Sequence, residues 1–101
     1  MADWPTYSFV PAVISNAPNF RGVYVLLQDG VVIYIGRAAG DSVSIRSRLL
    51  SHFRGDEGPC TARATEYRFE ITDAPVTREK ELLDEFWWQH GRLPRCNERR
   101  G

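Results

Sequence analysis

Two apolar segments flank an Asp-Gly pair between residues 22 and 36. The segments Gly22–Gln28 and Val31–Gly36 are rich in the β-branched, aliphatic and aromatic residues that favour strands. Asp29-Gly30 between them is a strong signal for a tight turn. Together they predict a β-hairpin, so any fold of this chain must be built around an antiparallel sheet.

The register of this hairpin decides where Tyr24 and Tyr34 point. A two-residue turn at Asp29-Gly30 would set Tyr24 opposite Ile35, and the two tyrosines would face opposite sides of the sheet. A three-residue loop, with Gly30 at positive φ, pairs Tyr24 with Tyr34 and gathers the aliphatic residues on the other face. We therefore predict the three-residue loop. An aromatic pair that only packs is the simplest interpretation of the two tyrosines.

The remaining pattern predicts an α+β fold in the order β-β-α-β-α. We expect a small antiparallel sheet of three strands, flanked by helices. After the hairpin, we predict a helix that is capped by Ser42 or Ser44 and ends near Arg54. A loop over 55–64 and a strand over 66–72 should follow. The last predicted helix runs from a cap at Asp73 or Thr77 to about His90. We expect residues 1–20, with three prolines, to form an extended lead-in. Gly91 should end the last helix, whose buried side is predicted to carry Leu82, Leu83, Phe86 and Trp87.

Composition places the chain among ordinary globular domains. It has 101 residues, of which 43% are hydrophobic, and a formal net charge of zero. This length predicts a single domain, residues 1–101. No segment approaches the ~20 apolar residues of a membrane helix, and no basic region followed by an apolar run opens the chain. We therefore expect a cytoplasmic protein with no membrane association.

Cysteine and arginine usage give weaker signals. Cys60 and Cys96 are too few and too far apart for a zinc cluster or a disulfide framework, so we expect two ordinary thiols, although one disulfide stays open. Lys80 is the single lysine among 13 basic residues. The arginines concentrate before and after an acidic stretch, a pattern that fits a phosphate-binding surface around an acidic centre but equally fits ordinary ion pairs.

Five motifs in order resemble the GIY-YIG nuclease family. Gly22-Val23-Tyr24 is followed by Tyr34-Ile35-Gly36, and a helix then carries Arg48 with His52 four positions later. The last two motifs are Glu85 in a charged helix and a closing Pro94-x-x-Asn97. The resemblance covers about residues 18–98 and keeps the family's order and spacing.

The resemblance implies metal-dependent hydrolysis of a nucleic-acid phosphodiester. Tyr24 resembles the tyrosine that acts as, or relays to, the general base, and Tyr34 resembles its partner. Arg48 resembles the arginine that binds the scissile phosphate, with Arg37 as a further phosphate contact, and His52 resembles the residue that hydrogen-bonds beside the reacting groups. Glu85 resembles the metal-ligating carboxylate; Glu81, on the same charged helix, is the second choice. The residues with implied structural roles are Gly22, Gly36 and Asn97.

The chemistry of these residue types agrees with that reading. A phosphodiester anion repels nucleophiles, so hydrolysis needs cations aimed at the phosphoryl oxygens, a nucleophile activator and a Lewis acid. One carboxylate suits a single Mg²⁺ or Mn²⁺ ion that binds weakly without substrate. Tyrosine is a poor base at its ordinary pKa, so Tyr24 needs a neighbouring cation such as Arg37 or Arg48.

We therefore expect an endonuclease that nicks DNA, favoured over RNA, with weak or structure-based specificity. Sequence specificity would require a dimer or a partner protein. The alternative is a catalytically silent module on the same scaffold that binds nucleic acid or, through exposed aromatics such as Trp4 or Trp88, another protein. Zero net charge favours this alternative, because it weakens bulk attraction to nucleic acid.

Overall fold

Four antiparallel strands form one sheet, in the spatial order β1-β4-β2-β3. The computed structural model describes residue 1 and residues 3–97. The strands are β1 (Tyr7–Ser8), β2 (Gly22–Gln28), β3 (Val31–Ala38) and β4 (Glu66–Ile71), and the helices are α1 (Pro11–Ile14), α2 (Ile45–Phe53), α3 (Pro59–Ala62) and α4 (Pro75–His90). A single 3-10 turn, Arg95–Asn97, follows and is called the closing turn below. The predicted α+β class is confirmed, with one strand more than expected.

The additional strand comes from the lead-in. Tyr7 pairs with Tyr67 and Ser8 with Glu66, so residues 1–20 are more than an extended segment. Pro11 then starts α1, where a proline is tolerated because the first helical N–H has no intrahelical partner. Ile14, at the end of α1, is fully buried beneath the sheet.

The hairpin turn differs from the prediction. Asp29 and Gly30 both have positive φ, at 50° and 85°, as a two-residue type I′ turn requires, and Gln28 pairs with Val31. The register then shifts between Leu26 and Leu27, so Tyr24 lies opposite Gly36. The predicted three-residue loop and the direct Tyr24–Tyr34 pair are therefore wrong, whereas the positive φ of Gly30 is confirmed.

A β-bulge at Ile33 brings the two tyrosines to the same face by another route. Past the bulge, Leu26 pairs with Tyr34, which makes Tyr34 a diagonal neighbour of Tyr24. Their ring centroids are 6.2 Å apart. Ile33 also packs on this side of the sheet, in the same cluster as Tyr24. The bulge therefore replaces the predicted register as the reason why both tyrosines share a face.

Helices cover both faces of the sheet and create two cores. On the face with Tyr24, the buried cluster comprises Phe9, Ile14, Ala17, Tyr24, Leu26, Ile33, Ala38, Ile45, Leu49, Ala64 and Tyr67. On the opposite face, α4 closes a smaller cluster of Val23, Val25, Leu27, Ile35, Leu82 and Phe86. We call these the tyrosine face and the aliphatic face.

Helix α2 forms as predicted. Ser44 is its N-cap, and its side chain accepts a hydrogen bond from the Ser47 N–H while Ser47 Oγ accepts one from the Ser44 N–H. Ile45 and Leu49 are completely buried. The same helical turn therefore fixes the positions of Arg48 and His52.

The segment predicted as a loop over 55–64 contains the short helix α3. Pro59 occupies its first turn. Cys60 in this helix forms a disulfide with Cys96 in the closing turn, with a Cα–Cα distance of 5.7 Å. The expectation of two free thiols is wrong, because the fold brings together two segments that are 36 residues apart in sequence.

Helix α4 ends at Gly91 as predicted, where the backbone turns left-handed at φ 70°. Its start is different: Ala74 is the N-cap and Pro75 the first helical residue, so neither Asp73 nor Thr77 caps the helix. Leu82 and Phe86 are buried, but Trp87 is 54% exposed and does not join the core as predicted. Among the helices of the described residues, none has the length and apolar character needed to cross a membrane.

Candidate functional site

A chain of hydrogen bonds runs through the buried side of the tyrosine face. Tyr24 Oη lies 2.9 Å from His52 Nε2, and His52 Nδ1 lies 2.7 Å from Thr61 Oγ1. All three side chains are almost inaccessible to solvent, at 0%, 1% and 3% exposure. The chain links strand β2, helix α2 and helix α3, so three separate elements fix the position of the Tyr24 hydroxyl.

Gly36 makes room for the Tyr24 ring. A Cβ atom at this position would come within 2.7 Å of Tyr24 Cζ and Oη, and equally close to the Tyr34 ring. Any side chain at position 36 would therefore displace both tyrosines. Gly22 is similarly constrained, because a Cβ there would overlap the Glu70 carbonyl oxygen and the Ile45 side chain.

Arg48 lies beside Tyr24 at the edge of this buried set. It occupies the same face of α2 as His52, one turn earlier, and its guanidinium is partly exposed. Its Nη1 donates to Glu57 Oε2 at 3.1 Å, and Ser51 Oγ donates to the same oxygen at 3.4 Å. The Glu57 carboxylate therefore pairs with Arg48, the arginine for which the family resemblance implies phosphate binding.

An open cleft of about 370 Å³ lies between Tyr34, Arg37, Arg48 and Glu79, with Ala39 and Val43 completing its wall. Arg37 Nη1 donates to Glu79 Oε1 at 2.6 Å. Of the predicted residues, the cleft therefore brings together Tyr34, Arg37 and Arg48, and Tyr24 and His52 lie directly behind them. We call it the arginine cleft.

A second cavity of about 530 Å³ adjoins the first at Tyr34. One wall is formed by His52 and residues 57–61, and the other by residues 95–97 of the closing turn. Asn97 stands in that second wall: its Oδ1 accepts from the Ile35 N–H at 2.8 Å, and its Nδ2 donates to the Ile35 carbonyl at 3.0 Å. These two bonds attach the closing turn to edge strand β3, next to Tyr34.

The structure does not bring Glu85 to the arginine cleft. Glu85 lines a separate pocket with Met1, Val32 and Arg68, towards the opposite end of strand β3 from Arg37. The second choice, Glu81, pairs with Arg78 at 3.1 Å. The motif spacing therefore selected a carboxylate of α4 that lies outside the arginine cleft.

The acidic side chain that lines the cleft is Glu79, which the sequence motifs did not indicate. It lies one turn after Pro75 and one turn before Leu82, both of which are buried. Pro75, Glu79 and Leu82 therefore follow the i, i+4, i+7 spacing of the buried side of α4. This periodicity indicated that Glu79 faces inward, but the motif spacing did not use it. Its side chain is only 16% exposed.

Burial and nearby charges set the protonation of the site. Burial, reinforced by Tyr34, raises the pKa of Tyr24 well above its ordinary value, although the Arg48 guanidinium opposes this shift. Burial also raises the pKa of Tyr34. Burial, together with the charge of Arg48, lowers the pKa of His52 to about 4. At neutral pH, His52 is therefore a neutral imidazole.

The described residues contain no cluster of three His, Cys, Asp or Glu side chains that could by itself hold a metal ion. Glu79 offers one carboxylate at the cleft, and this suits a hard ion that keeps most of its water ligands. Glu79 and Glu85 each offer one carboxylate, but Glu79 lies in the cleft with Arg37 and Arg48, whereas the pocket of Glu85 contains neither of these arginines.

Comparison with known proteins gives one informative similarity. No family model matches the chain. The chain is 32% identical over 68 residues to UvrABC system protein C from Moorella thermoacetica, an alignment that covers 62% of this chain and 10% of that protein. The chain thus spans about a tenth of the length of this relative. The match agrees with the coarse indication of a nuclease that the sequence motifs gave.

Proposed function

We propose that the protein is an endonuclease that hydrolyses a phosphodiester bond of DNA in the arginine cleft. The observation that carries this proposal is the convergence of two arginines and a carboxylate around Tyr34, with the buried Tyr24–His52 pair immediately behind. The motif order and the similarity to UvrABC system protein C support nucleic acid as the substrate class and favour DNA.

Arg48 and Arg37 would bind the phosphate. A guanidinium can present two parallel N–H groups to two phosphate oxygens, and partial burial strengthens this contact because water screens it less. Each arginine now holds a carboxylate, Glu57 on Arg48 and Glu79 on Arg37. A bound phosphate would therefore take the place of the Glu57 or Glu79 carboxylate on its arginine.

Tyr24 would be the general base. Its raised pKa means that the phenolate is a minor species at neutral pH, so hydrolysis should accelerate as pH rises. Arg48 beside it stabilises the phenolate, and bound phosphate would tighten this geometry by ordering the guanidinium. Tyr34, which lines the cleft itself, would contact the substrate and orient the attacking water.

Glu79 would hold a divalent ion once phosphate has taken its place on Arg37. When bound, such an ion supplies Lewis-acid stabilisation of the charge that develops on the phosphoryl oxygens. Glu79 itself would be the protein's contribution to that site, fixed by its position on the inward stripe of α4.

The test is nicking of supercoiled plasmid with Mg²⁺ or Mn²⁺. We expect the wild type to nick, Arg48→Ala to be slower by about 10²- to 10³-fold, and Glu79→Gln to be inactive. Glu85→Gln is the matched control, because it makes the same chemical change on the same helix away from the cleft, and it should retain activity.

Two outcomes would contradict the proposal. Activity of Glu79→Gln together with inactivity of Glu85→Gln would return the metal site to the residue that the motif spacing selected. Salt-dependent DNA binding without cleavage by the wild type would support the alternative, a silent binding module. One observation favours that alternative: each arginine of the cleft already pairs with a carboxylate of the protein, Arg37 with Glu79 and Arg48 with Glu57.

A further inference from the structure

We propose that the second cavity binds one unpaired base of the DNA strand whose phosphate lies in the arginine cleft. The proposal rests on the endonuclease function for the strand in the cleft, and it narrows the substrate from DNA in general to DNA with an unpaired nucleotide. Neither the sequence motifs nor the comparison assigns a ligand to the cavity between α3 and the closing turn.

The second cavity and the arginine cleft share one side chain. Tyr34 lines both of them, with Arg37 and Arg48 on the side of the cleft and residues 57–61 and 95–97 on the side of the cavity. A phosphate held by the two arginines would therefore bring the adjoining sugar and base beside Tyr34. The second cavity opens next to that position.

The size of the second cavity suits a single base. Its volume of about 530 Å³ lies within the range of about 300–1,000 Å³ that is typical of small-molecule pockets. A base inside a duplex is stacked on both faces and paired at its edge, so it must leave the stack before it can enter a pocket. This cost is smallest for a base that is already unpaired, and the cavity should therefore select DNA with such a base.

The walls of the second cavity offer surfaces for stacking. Tyr34 is partly exposed and contributes an aromatic ring, while Pro59 and the Cys60–Cys96 disulfide contribute apolar surface. The exposed Arg95 adds a cation. Bases stack on aromatic rings and on guanidinium groups, and the cation also attracts the phosphate backbone.

The polar side chains of the lining already have partners within the protein. Five of them hydrogen-bond to other protein groups: His52, Glu57, Thr61, Arg95 and Asn97. A ligand recognised mainly through new hydrogen bonds would have to displace these contacts. A base bound by stacking does not, and because every base has a π-face we expect little preference for its identity.

The disulfide forms the second cavity before DNA binds. It joins the two walls covalently, and Asn97 attaches the closing turn to Ile35 of strand β3 through two hydrogen bonds. Since walls that are already in place need no ordering on binding, less of the stacking energy is lost. A single base can therefore contribute measurably to affinity.

Fluorescence anisotropy in EDTA tests the proposal without cleavage. Three labelled duplexes are compared: one fully paired, one with a single unpaired thymidine, and one with an abasic site in place of that thymine. We expect the wild type to bind the duplex with the unpaired base about fivefold more tightly than the abasic duplex, the gain expected for one stacked base. Equal affinity for these two duplexes would show that the protein senses the flexibility of the DNA, and it would overturn the proposal.

Variants of the lining test whether the second cavity is the place where the base binds. Tyr34→Ala should abolish the preference for the unpaired base, whereas Tyr34→Phe keeps the ring and should retain the preference. Arg95→Ala should weaken binding of the same duplex about two- to fivefold. Arg63→Ala is its matched control, because the exposed Arg63 lines a neighbouring pocket that contains Arg95 but does not line the second cavity.

A preference for the unpaired base that survives in both Tyr34→Ala and Arg95→Ala would place the base elsewhere and overturn the proposal. If Tyr34→Ala fails to fold, Arg95→Ala still decides, because Arg95 is exposed. An equal loss in Arg95→Ala and Arg63→Ala would likewise count against the cavity, since it would reflect general attraction to DNA.

These readouts separate the two proposals. Nicking by a wild type that binds the unpaired-base and abasic duplexes equally refutes the role of the second cavity and leaves the endonuclease function standing. A preference for the unpaired base without nicking in Mg²⁺ or Mn²⁺ refutes the endonuclease function and supports the cavity. Where nicking occurs, it should map to a phosphate next to the unpaired nucleotide, and nicks spread evenly along the duplex would contradict the proposal.

Discussion

The two faces of the sheet are both closed by helices, yet they are built from different chemistry. On the aliphatic face, Leu82 and Phe86 of α4 pack on valine, leucine and isoleucine side chains. On the tyrosine face, the core also contains the side chains of Ser44, His52 and Thr61, which are the buried polar residues of the described chain. Each of these three has a hydrogen-bond partner.

This difference separates apolar packing from the directional contacts of the candidate site. Burying apolar surface stabilises the fold without directional requirements, whereas each buried polar group needs a partner and gains little net stability. Apolar burial on both faces therefore stabilises the fold, and the tyrosine face also holds a tyrosine hydroxyl beside an arginine. Variants on the two faces should accordingly affect different measurements.

The largest expected effect is on the aliphatic face. Leu82→Ala should lower the free energy of unfolding by about 2–5 kcal/mol, because it leaves a cavity in a fully buried cluster. Urea unfolding measures this loss. DNA nicking per folded molecule should stay near the wild-type level, since Leu82 itself does not line the cleft, although Glu79 lies one turn earlier on the same stripe of α4.

The control for this variant is Val76→Ala on the same helix. Val76 is 57% exposed, so its truncation should change stability by no more than about 0.5 kcal/mol. A large loss of nicking in folded Leu82→Ala would show that the two faces are coupled and would break the division of roles.

The second prediction concerns pH and the tyrosine face. Histidine in the unfolded chain gains a proton near its ordinary pKa of about 6.5, whereas folded His52 stays neutral until its pKa of about 4. Below pH 6.5 the unfolded state therefore binds the additional proton. Stability should fall as pH decreases through this window, with a slope approaching about 1.4 kcal/mol per pH unit.

Urea unfolding at several values of pH between 7 and 5 measures this slope. His52→Gln should flatten it, because glutamine does not titrate, while His90→Gln at the exposed position should leave it unchanged. Equal slopes in the wild type and in His52→Gln would show that burial of His52 does not control the acid sensitivity of the protein.

The smallest expected effect is at the rim of the cleft. Glu57→Gln removes the charge that now holds Arg48, so DNA should bind about two- to fivefold more tightly, the size expected for a partly exposed ion pair. Fluorescence anisotropy with a labelled duplex measures the affinity. Asp56→Asn makes the same charge change on a carboxylate that pairs with Arg54, and a similar gain there would indicate a general charge effect.

The sequence predicted the elements well where the signal was local. The Ser44 cap, the apolar stripe of α2, the alternating strand β4 and the Gly91 stop all depend on residues within one or two turns of each other. The fold class followed from their order. The tyrosines, Arg37, Arg48 and His52 were also placed together correctly, because the motifs specify positions on these elements.

The failures arose where distant parts of the chain decide the geometry. Both faces of the hairpin are buried, so its apolar pattern could not distinguish one register from another or reveal the bulge at Ile33. The Cys60–Cys96 bond and the position of Glu79 next to Arg37 likewise depend on how α3 and α4 pack. Spacing from Asn97 could not show which turn of α4 meets the cleft.

The Cys60–Cys96 disulfide between α3 and the closing turn also affects how these two segments open locally. One segment carries Thr61 and the other Asn97, and each would otherwise fray on its own, being only three or four residues long. The crosslink makes them a single cooperative unit, so their backbone amides should exchange with deuterium at similar rates in the oxidised protein. After reduction by a dithiol, the two segments should exchange independently, and the cavity between them would lose the fixed distance between its walls.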